Sequence, residues 1–369
     1  MPHIRLLLLV LTCCLGAAGL GWATSGDALS ERLVAPGGVS PLMDDENIAA
    51  ALATLPHRSG LVTGSAGIPL FWRAVDPGDY RMRYAYRGLR RGDDGHARLD
   101  YALAFEPPTA PVATLRGTVV LLHGWMMDGD SLLPWSLRLA QAGYRTITID
   151  LRNHGRSGDG PTGYGTREAI DVADVVNALR ARGEIAGPLH LFGVSYGAAT
   201  AVFTAQALGD QVAGVVALES FDNAGGAIRD MVPHVLALQP EGFTAQAAAR
   251  LGRWRYAGQD LDMVIRSANG RLALDLDHID VGDVARIVST QACVLLAHGS
   301  DDAHIPVAHG RALAAAAPQA RYLELAGEDH LSLPMRLDRL GGTVEHWLAM
   351  AGEGQGCAGG IDPRSIALH

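Results

Sequence analysis

The chain has 369 residues, of which 48% are hydrophobic and 19% charged, with a formal net charge of −9. That supports one large globular domain with an insertion or two smaller ones, and the acidic balance gives no support to nucleic-acid binding. Lysine is absent, which excludes Schiff-base chemistry, Ser–Lys dyads and a phosphate-loop lysine.

The opening stretch "MPHIRLLLLVLTCCLGAAGLGWATSG" places Arg5 before an apolar run over 6–15, with small residues around Gly21-Trp22-Ala23. This pattern predicts an export signal over residues 1–23, and hence a periplasmic or secreted protein. The alternative is an uncleaved membrane anchor over residues 6–23, which carry no charge. Lipid attachment at Cys13 or Cys14 is disfavoured by Thr12 and Cys13 as the preceding residues. Of the other two cysteines, Cys293 falls in an apolar strand pattern and Cys357 in the Gly-rich tail "GEGQGCAGG". Their pairing stays open, since buried unpaired cysteine is common.

Residues 24–65 form an N-terminal extension without clear strand periodicity, with a short helix expected over 45–54 and ended by Pro56. Then "DYRMRYAYRGLR" (79–90) and "ARLDYALAFEP" (97–107) alternate polar and apolar residues, which predicts an antiparallel hairpin turning at Asp94-Gly95. From residue 117 short apolar runs alternate with helical patterns: "TVVLLHG", "SLLPWSLRLAQAG", "YRTITIDLR", "REAIDVADVVNALRARG", "PLHLFGVS", "YGAATAVFTAQAL" and "VAGVVALES". Continuous apolar strands separated by helices mean a parallel sheet covered on both faces. The rhythm resumes at "ACVLLAHG" (292–299), "RYLELAG" (321–327) and a helix near 335–350. The core is therefore expected over 66–220 and 291–350. Residues 221–290, helical in pattern, read as a cap inserted between two strands, and 351–369 as a flexible tail.

Reactive groups in a parallel sheet gather beyond the carboxyl ends of the strands. There "LFGVSYG" presents Gly193-x-Ser195-x-Gly197 between a strand and a helix. Glycines suit a turn too tight for Cβ atoms, which lifts the Ser195 hydroxyl into the open. A serine hydroxyl is a weak nucleophile and needs a base, with an acid to orient that base. His330 in "GEDHLSLP" is assigned as the base and Asp302 in "HGSDDAHIP" as the acid. Asp301 and Glu219, also at strand ends, are alternative acids. The backbone N–H groups of Trp125, after "LLHG", and of Tyr196 are the expected oxyanion donors. His123 precedes the serine and is expected to brace its loop. Asp150 and Arg152 are expected to form structural hydrogen bonds beneath the site. His298, Asp301, Asp302, His304 and His309 show no usual metal-ligand spacing, so neither a metal nor a cofactor is expected.

In strand–helix order and in four motifs, residues 117–350 resemble the α/β-hydrolase superfamily. "HGW" is similar to its oxyanion strand end, "DLRNHGRSGDG" to its D-x-R-x-x-G-x-S loop, "GVSYG" to its nucleophile elbow and "GSDDAHIP" to its G-x-x-D-x-x-(V/I)-P segment. The resemblance implies an α/β fold with a Ser195–Asp302–His330 triad. It also differs from relatives in three places. Glu328-Asp329 precedes the histidine where many have Gly-His, the H-G-G-G loop is missing, and Tyr196 replaces a common Met. The expected reaction is hydrolysis of a small or lipid-like carboxylic ester. Amide or peptide cleavage, as in proline-iminopeptidase-like relatives, and acyl transfer are the alternatives within enzymes. A noncatalytic binding protein on the same fold is the third.

Overall fold

A computed structural model describes residues 25–355 and 357, apart from 37, 39, 41, 44, 93–96, 110–114, 239–245, 247–249 and 252–258. The expected leader, the Asp94-Gly95 turn, much of 239–258 in the expected cap and most of the expected tail lie outside these residues. None of the described helices is long and apolar enough to cross a membrane.

The centre is an eight-stranded sheet in the order β1-β2-β6-β5-β7-β8-β9-β10. Its parallel part comprises β5 (Gly117–Leu122), β6 (Tyr144–Ile149), β7 (Leu189–Val194), β8 (Val212–Leu218), β9 (Cys293–Gly299) and β10 (Arg321–Leu325). Every residue of β5 and β9 is buried, because successive side chains feed two different cores. Val120 and Leu122 join one core, with helices α4 (Thr166–Ala181) and α5 (Tyr196–Leu208). Val119 and Leu121 join the other, with α3 (Leu133–Gln141) and α10 (Leu337–Gly352).

β5 leads to β6 on one side and β7 pairs on its other side, so the strand order reverses between β5 and β7. That reversal opens a crevice at the carboxyl ends of the two strands, where "HGW" and "GVSYG" lie.

Antiparallel strands precede the parallel part as expected, and two that were not expected join the main sheet. β1 (Arg58–Thr63) and β2 (Pro69–Val75) complete the main sheet, β2 running antiparallel to β6. β1 falls within the segment read as lacking strand periodicity. Its burial alternates only near its end, as expected of an edge strand with one neighbour. The expected hairpin, β3 (Arg83–Arg91) with β4 (Ala97–Ala104), forms a separate two-stranded sheet. Its inner side chains pack with helix α2 (Asp45–Thr54) over α3, and Tyr84 Oη donates to the Met335 carbonyl at 2.9 Å.

Residues 221–290 connect β8 to β9 through α6 (Ala224–Ala237), α7 (Leu261–Leu272) and α8 (Val281–Val288). An N-terminal helix not expected from the sequence, α1 (Ser25–Val34), packs on α7, and Tyr164 Oη donates to its Leu33 carbonyl at 2.8 Å. The sulfurs of Cys293 and Cys357 are bonded, fastening the chain beyond α10 to β9.

Candidate active site

Ser195 joins β7 to α5 with φ 54° and ψ −116°, a conformation that a residue with a Cβ adopts only under constraint. The constraint is visible on both sides. A Cβ at Gly193 would stand 2.1 Å from the Gly197 carbonyl oxygen, and one at Gly197 would stand 2.2 Å from that of Leu122. The turn is closed by the Ser195 N–H, which donates to the Leu218 carbonyl at 2.8 Å. The two glycines are therefore packing requirements of the turn that raises Ser195 between β5 and β8.

His330 follows β10, and its Nε2 lies 2.9 Å from Ser195 Oγ. Its Nδ1 lies 2.7 Å from Asp302 Oδ2, so the Nδ1–H donates to the carboxylate and Nε2 is left to accept from serine. Asp302, buried after β9, also accepts from the N–H groups of His304 and Ile305, each at 2.8 Å. Burial alone would raise its pKa. The hydrogen bonds of His298 and His330, the His330 charge and the Ile305 N–H outweigh burial and hold the carboxyl well below the usual range.

The alternative acids are placed differently. Asp301 is exposed, and its carboxylate accepts from Ser300 Oγ at 2.6 Å. Glu219 is fully buried at the end of β8, with Oε2 3.6 Å from His330 Nδ1, beyond hydrogen-bond range.

On the β5 side, the His123 ring does brace its loop. Its Nε2 accepts from the Leu151 N–H at 2.9 Å, so Nδ1 carries the proton that goes to the Gly124 carbonyl at 2.8 Å. Burial lowers its pKa, consistent with a neutral ring. His154, which sequence reasoning missed, repeats the pattern one step outward. Its Nε2 accepts from the Met126 N–H at 3.1 Å and its Nδ1 faces the Arg152 carbonyl at 2.8 Å. Burial first, then the nearby His123, push its pKa down to about 3. Its only signal was its place within "DLRNHGRSGDG". Asp150 accepts from Gly129 N–H and Arg156 N–H at 2.8 Å each, and Arg152 pairs with Asp171 at 2.6 Å, as the structural roles expected of them require.

Trp125 and Tyr196 meet edge to face with ring centroids 4.9 Å apart, and Tyr164 stacks on Trp125 at 5.6 Å. Among the described residues no group accepts from the backbone N–H of either Trp125 or Tyr196. Tyr196 opens α5, where the helix dipole and unpaired N–H groups favour negative charge.

Of the histidines and acids drawn together in sequence, His298 and His304 stay beside Asp302, whereas Asp301 turns to solvent and His309 bonds elsewhere. His309 Nε2 lies 3.0 Å from Asp230, and Nδ1 bonds to Asp222. His304 stacks on His330 at 5.3 Å and meets His234 of α6 at 4.5 Å. The other cap histidine, His278, bonds to Asp275 at 2.7 Å. Among the described residues, the one group with spacing that could hold a cation is Glu219, Asp302 and His330, and two of these already share a hydrogen bond. A cavity of about 610 Å³ lies elsewhere, between α2 and the hairpin of β3 and β4, and none of Ser195, Glu219, Asp302 or His330 lines it.

The profile described as "Alpha/beta hydrolase family" matches residues 119–340. An uncharacterized protein of Bacillus subtilis, YqkD, is 27% identical over 233 residues, covering 63% of this chain and 70% of its own. The Pyrococcus furiosus esterase Pf2001 superposes with a TM-score of 0.52 at 17% identity, covering 87% of this chain and 96% of its own. The alpha/beta hydrolase GrgF from Penicillium superposes with a TM-score of 0.51 at 15% identity, covering 81% of this chain and all (100%) of its own.

Proposed function

The chain belongs to the alpha/beta hydrolase family, and on that premise we propose that it is a serine hydrolase cleaving carboxylic esters through an acyl-enzyme on Ser195. The observation that carries this reading is the continuous pair of hydrogen bonds from Ser195 Oγ to His330 at 2.9 Å and from His330 to Asp302 at 2.7 Å. In it, Ser195 Oγ attacks the carbonyl carbon while its proton passes to His330 Nε2. Asp302, held ionised, keeps the Nδ1–H in place and stabilises the imidazolium. The N–H groups of Trp125 and Tyr196 receive the oxyanion, a contribution of about 3–4 kcal/mol per donor in a protease example. His330 then protonates the departing alcohol. The same imidazole takes a proton from water, whose oxygen attacks the acyl carbon, and returns that proton to Ser195 Oγ as the bond from Oγ to the acyl carbon breaks. No step calls on a cofactor. Ester rather than amide as the substrate follows the P. furiosus esterase, whose fold the chain shares.

The test is a serine-directed fluorophosphonate, followed by parallel panels of p-nitrophenyl esters and aminoacyl amides. Labelling at Ser195 with turnover of the esters supports the reading. Turnover of the amides alone would replace ester cleavage with peptidase-like chemistry on the same residues. A folded protein that does not label would overturn it in favour of a binding role.

We infer export as well, from the basic residue, apolar run and small residues over 1–23. The Cys293–Cys357 bond supports an oxidising compartment. A mature N-terminus near residue 24 in a periplasmic or culture fraction is the expected result, and an intact leader in the membrane fraction would instead indicate the anchor.

A further inference from the structure

The N-terminal extension bonds in turn to the cap, to the loop after β5 and to the hairpin. In α1, Ser30 lies 3.3 Å from Ser267 and Glu31 lies 3.5 Å from Arg271, both of α7. At the end of α1 the Leu33 carbonyl accepts from Tyr164 Oη at 2.8 Å, and the Val34 carbonyl accepts from Thr162 Oγ1 at 2.9 Å. Tyr164 is the ring stacked on Trp125. Further on, the Ser40 N–H donates to the Met126 carbonyl at 2.6 Å, and the Leu42 carbonyl accepts from the Leu99 N–H of β4 at 2.8 Å.

The Ser40 bond falls on a strained residue. Met126 has φ 59°, a region where a long side chain is uncommon. It is the third residue of a turn closed by the Met127 N–H, which donates to the Gly124 carbonyl at 3.1 Å. A positive φ at that place normally calls for glycine or asparagine. Both polar groups of the Met126 backbone are held from outside, the N–H by His154 Nε2 at 3.1 Å and the carbonyl by Ser40. Such a conformation persists only where its surroundings over-determine it. Trp125 is the second residue of the same turn, so the direction of its N–H depends on Met126 staying as it is.

We propose that Ser40 is a positioning residue, whose backbone N–H holds the turn from Gly124 to Met127 in the shape that aims the Trp125 N–H at the oxyanion. This rests on the reading of Trp125 as an oxyanion donor for acyl transfer at Ser195. The Leu33 carbonyl acts to the same end, fixing Tyr164 and through it the Trp125 ring. Without the Ser40 bond, Met126 relaxes toward negative φ, the central peptide of the turn rotates, and the Trp125 N–H swings aside. The extension thereby completes the site from outside the strands that carry Ser195, Asp302 and His330.

The experiment compares Ser40→Ala, which keeps the N–H, with the same full chain carrying an ester linkage at residue 40, where oxygen replaces that N–H and φ stays free. Ser40→Pro also lacks the N–H, and two routes to the same loss keep the comparison readable if one of them does not fold. Fluorophosphonate labelling of Ser195 is measured beside kcat and KM for a p-nitrophenyl ester, at a temperature where each chain is folded by calorimetry. Removing an oxyanion donor outright costs about 10²–10³-fold in kcat, so a donor turned aside is expected to lose on the order of 10–10²-fold. The chain without the N–H should show that loss in kcat and in labelling rate, with KM near that of Ser40→Ala. Equal labelling rates with and without the N–H overturn the proposal, even where Tm falls, because the bond would then be structural alone. So does a loss confined to KM. A wild-type chain that does not label overturns the reading of Ser195 and the proposal with it. Labelling without ester turnover removes the ester substrate alone, and the labelling comparison then decides.

Discussion

Gly197 lies against the end of β5 so closely that a Cβ on it would stand 2.2 Å from the carbonyl oxygen of Leu122. The atom in the way is backbone of a fully buried strand, so it cannot swing aside as a side-chain tip would. Gly197→Ala is therefore expected to cost about 1–3 kcal/mol or more, as overpacking does. The loss should appear as a lower Tm, with Ser195 labelling lost at temperatures where the variant stays folded.

Ser195 itself carries strain, at φ 54° and ψ −116°. Glycine tolerates that conformation and alanine does not. Ser195→Gly is expected to be more stable than Ser195→Ala by roughly 1 kcal/mol, out of about 1–3 kcal/mol stored at such a position. Both variants should lose at least about 10⁴-fold in kcat, because triad members act as a unit. Calorimetry beside ester turnover checks both expectations at once.

His309, on α9 (Val307–Ala316), lies between Asp222 and Asp230 and ties the start of α6 to the core. Burial lowers its pKa, but the hydrogen bonds to Asp222 and then Asp230 outweigh burial, and the net shift is upward. The Asp222 carboxyl, burial again opposing, is moved down by His309. The His309 contribution is thus complete below the ordinary imidazole value of about 6.5 and is lost as pH rises through its higher folded value. The Asp222 contribution is present above the ordinary carboxylate value and is lost as pH falls through its lower folded value. Charge-assisted bonds of this kind contribute about 1.5–3 kcal/mol. His309→Asn should lower Tm between those limits, near pH 5–6, and by much less well above neutrality. Equal destabilisation at both pH values would rule the ion pair out as its source.

Cys293 and Cys357 are 64 residues apart in sequence. A cross-link of that span restricts the unfolded chain and stabilises by roughly 2–4 kcal/mol. Thiol reduction, or Cys357→Ser, is expected to lower the unfolding midpoint by a corresponding amount. The Ser195 labelling rate should not change, since Cys293 lies near the start of β9 and Asp302 follows its far end.

Some features are written locally in the chain and are legible in the amino-acid sequence. The nearly continuous apolar pattern of β5, β7, β8 and β9 is a statement about each strand alone, because a strand buried on both faces needs no alternation. The need for Gly193 is likewise local, since a Cβ there would meet the Gly197 carbonyl within the same turn, whereas Gly197 is required by the end of β5. The order of serine, aspartate and histidine along the chain follows from the order of strands, and it carried the family resemblance.

Other features depend on where distant segments meet. Asp301 and Asp302 are adjacent and chemically alike, and only the fold of the loop after β9 turns one to His330 and the other to solvent. Glu219 enters the same cluster because β8 and β9 are neighbours, a pairing invisible in the spacing of residues 219 and 302. β1 lacked periodicity because an edge strand buries little, so its place beside β2 is a tertiary decision. The hairpin of β3 and β4 had clear alternation yet stands outside the main sheet, packed through its tyrosines on α2 and α3. What the amino-acid sequence determined by itself was the set of reactive groups and the turn that presents the serine, since both arise within a few residues. Which carboxylate faces His330, which cysteines join and which acids hold His309 were decided by the tertiary structure, because each requires side chains from separate elements to share a few cubic ångströms.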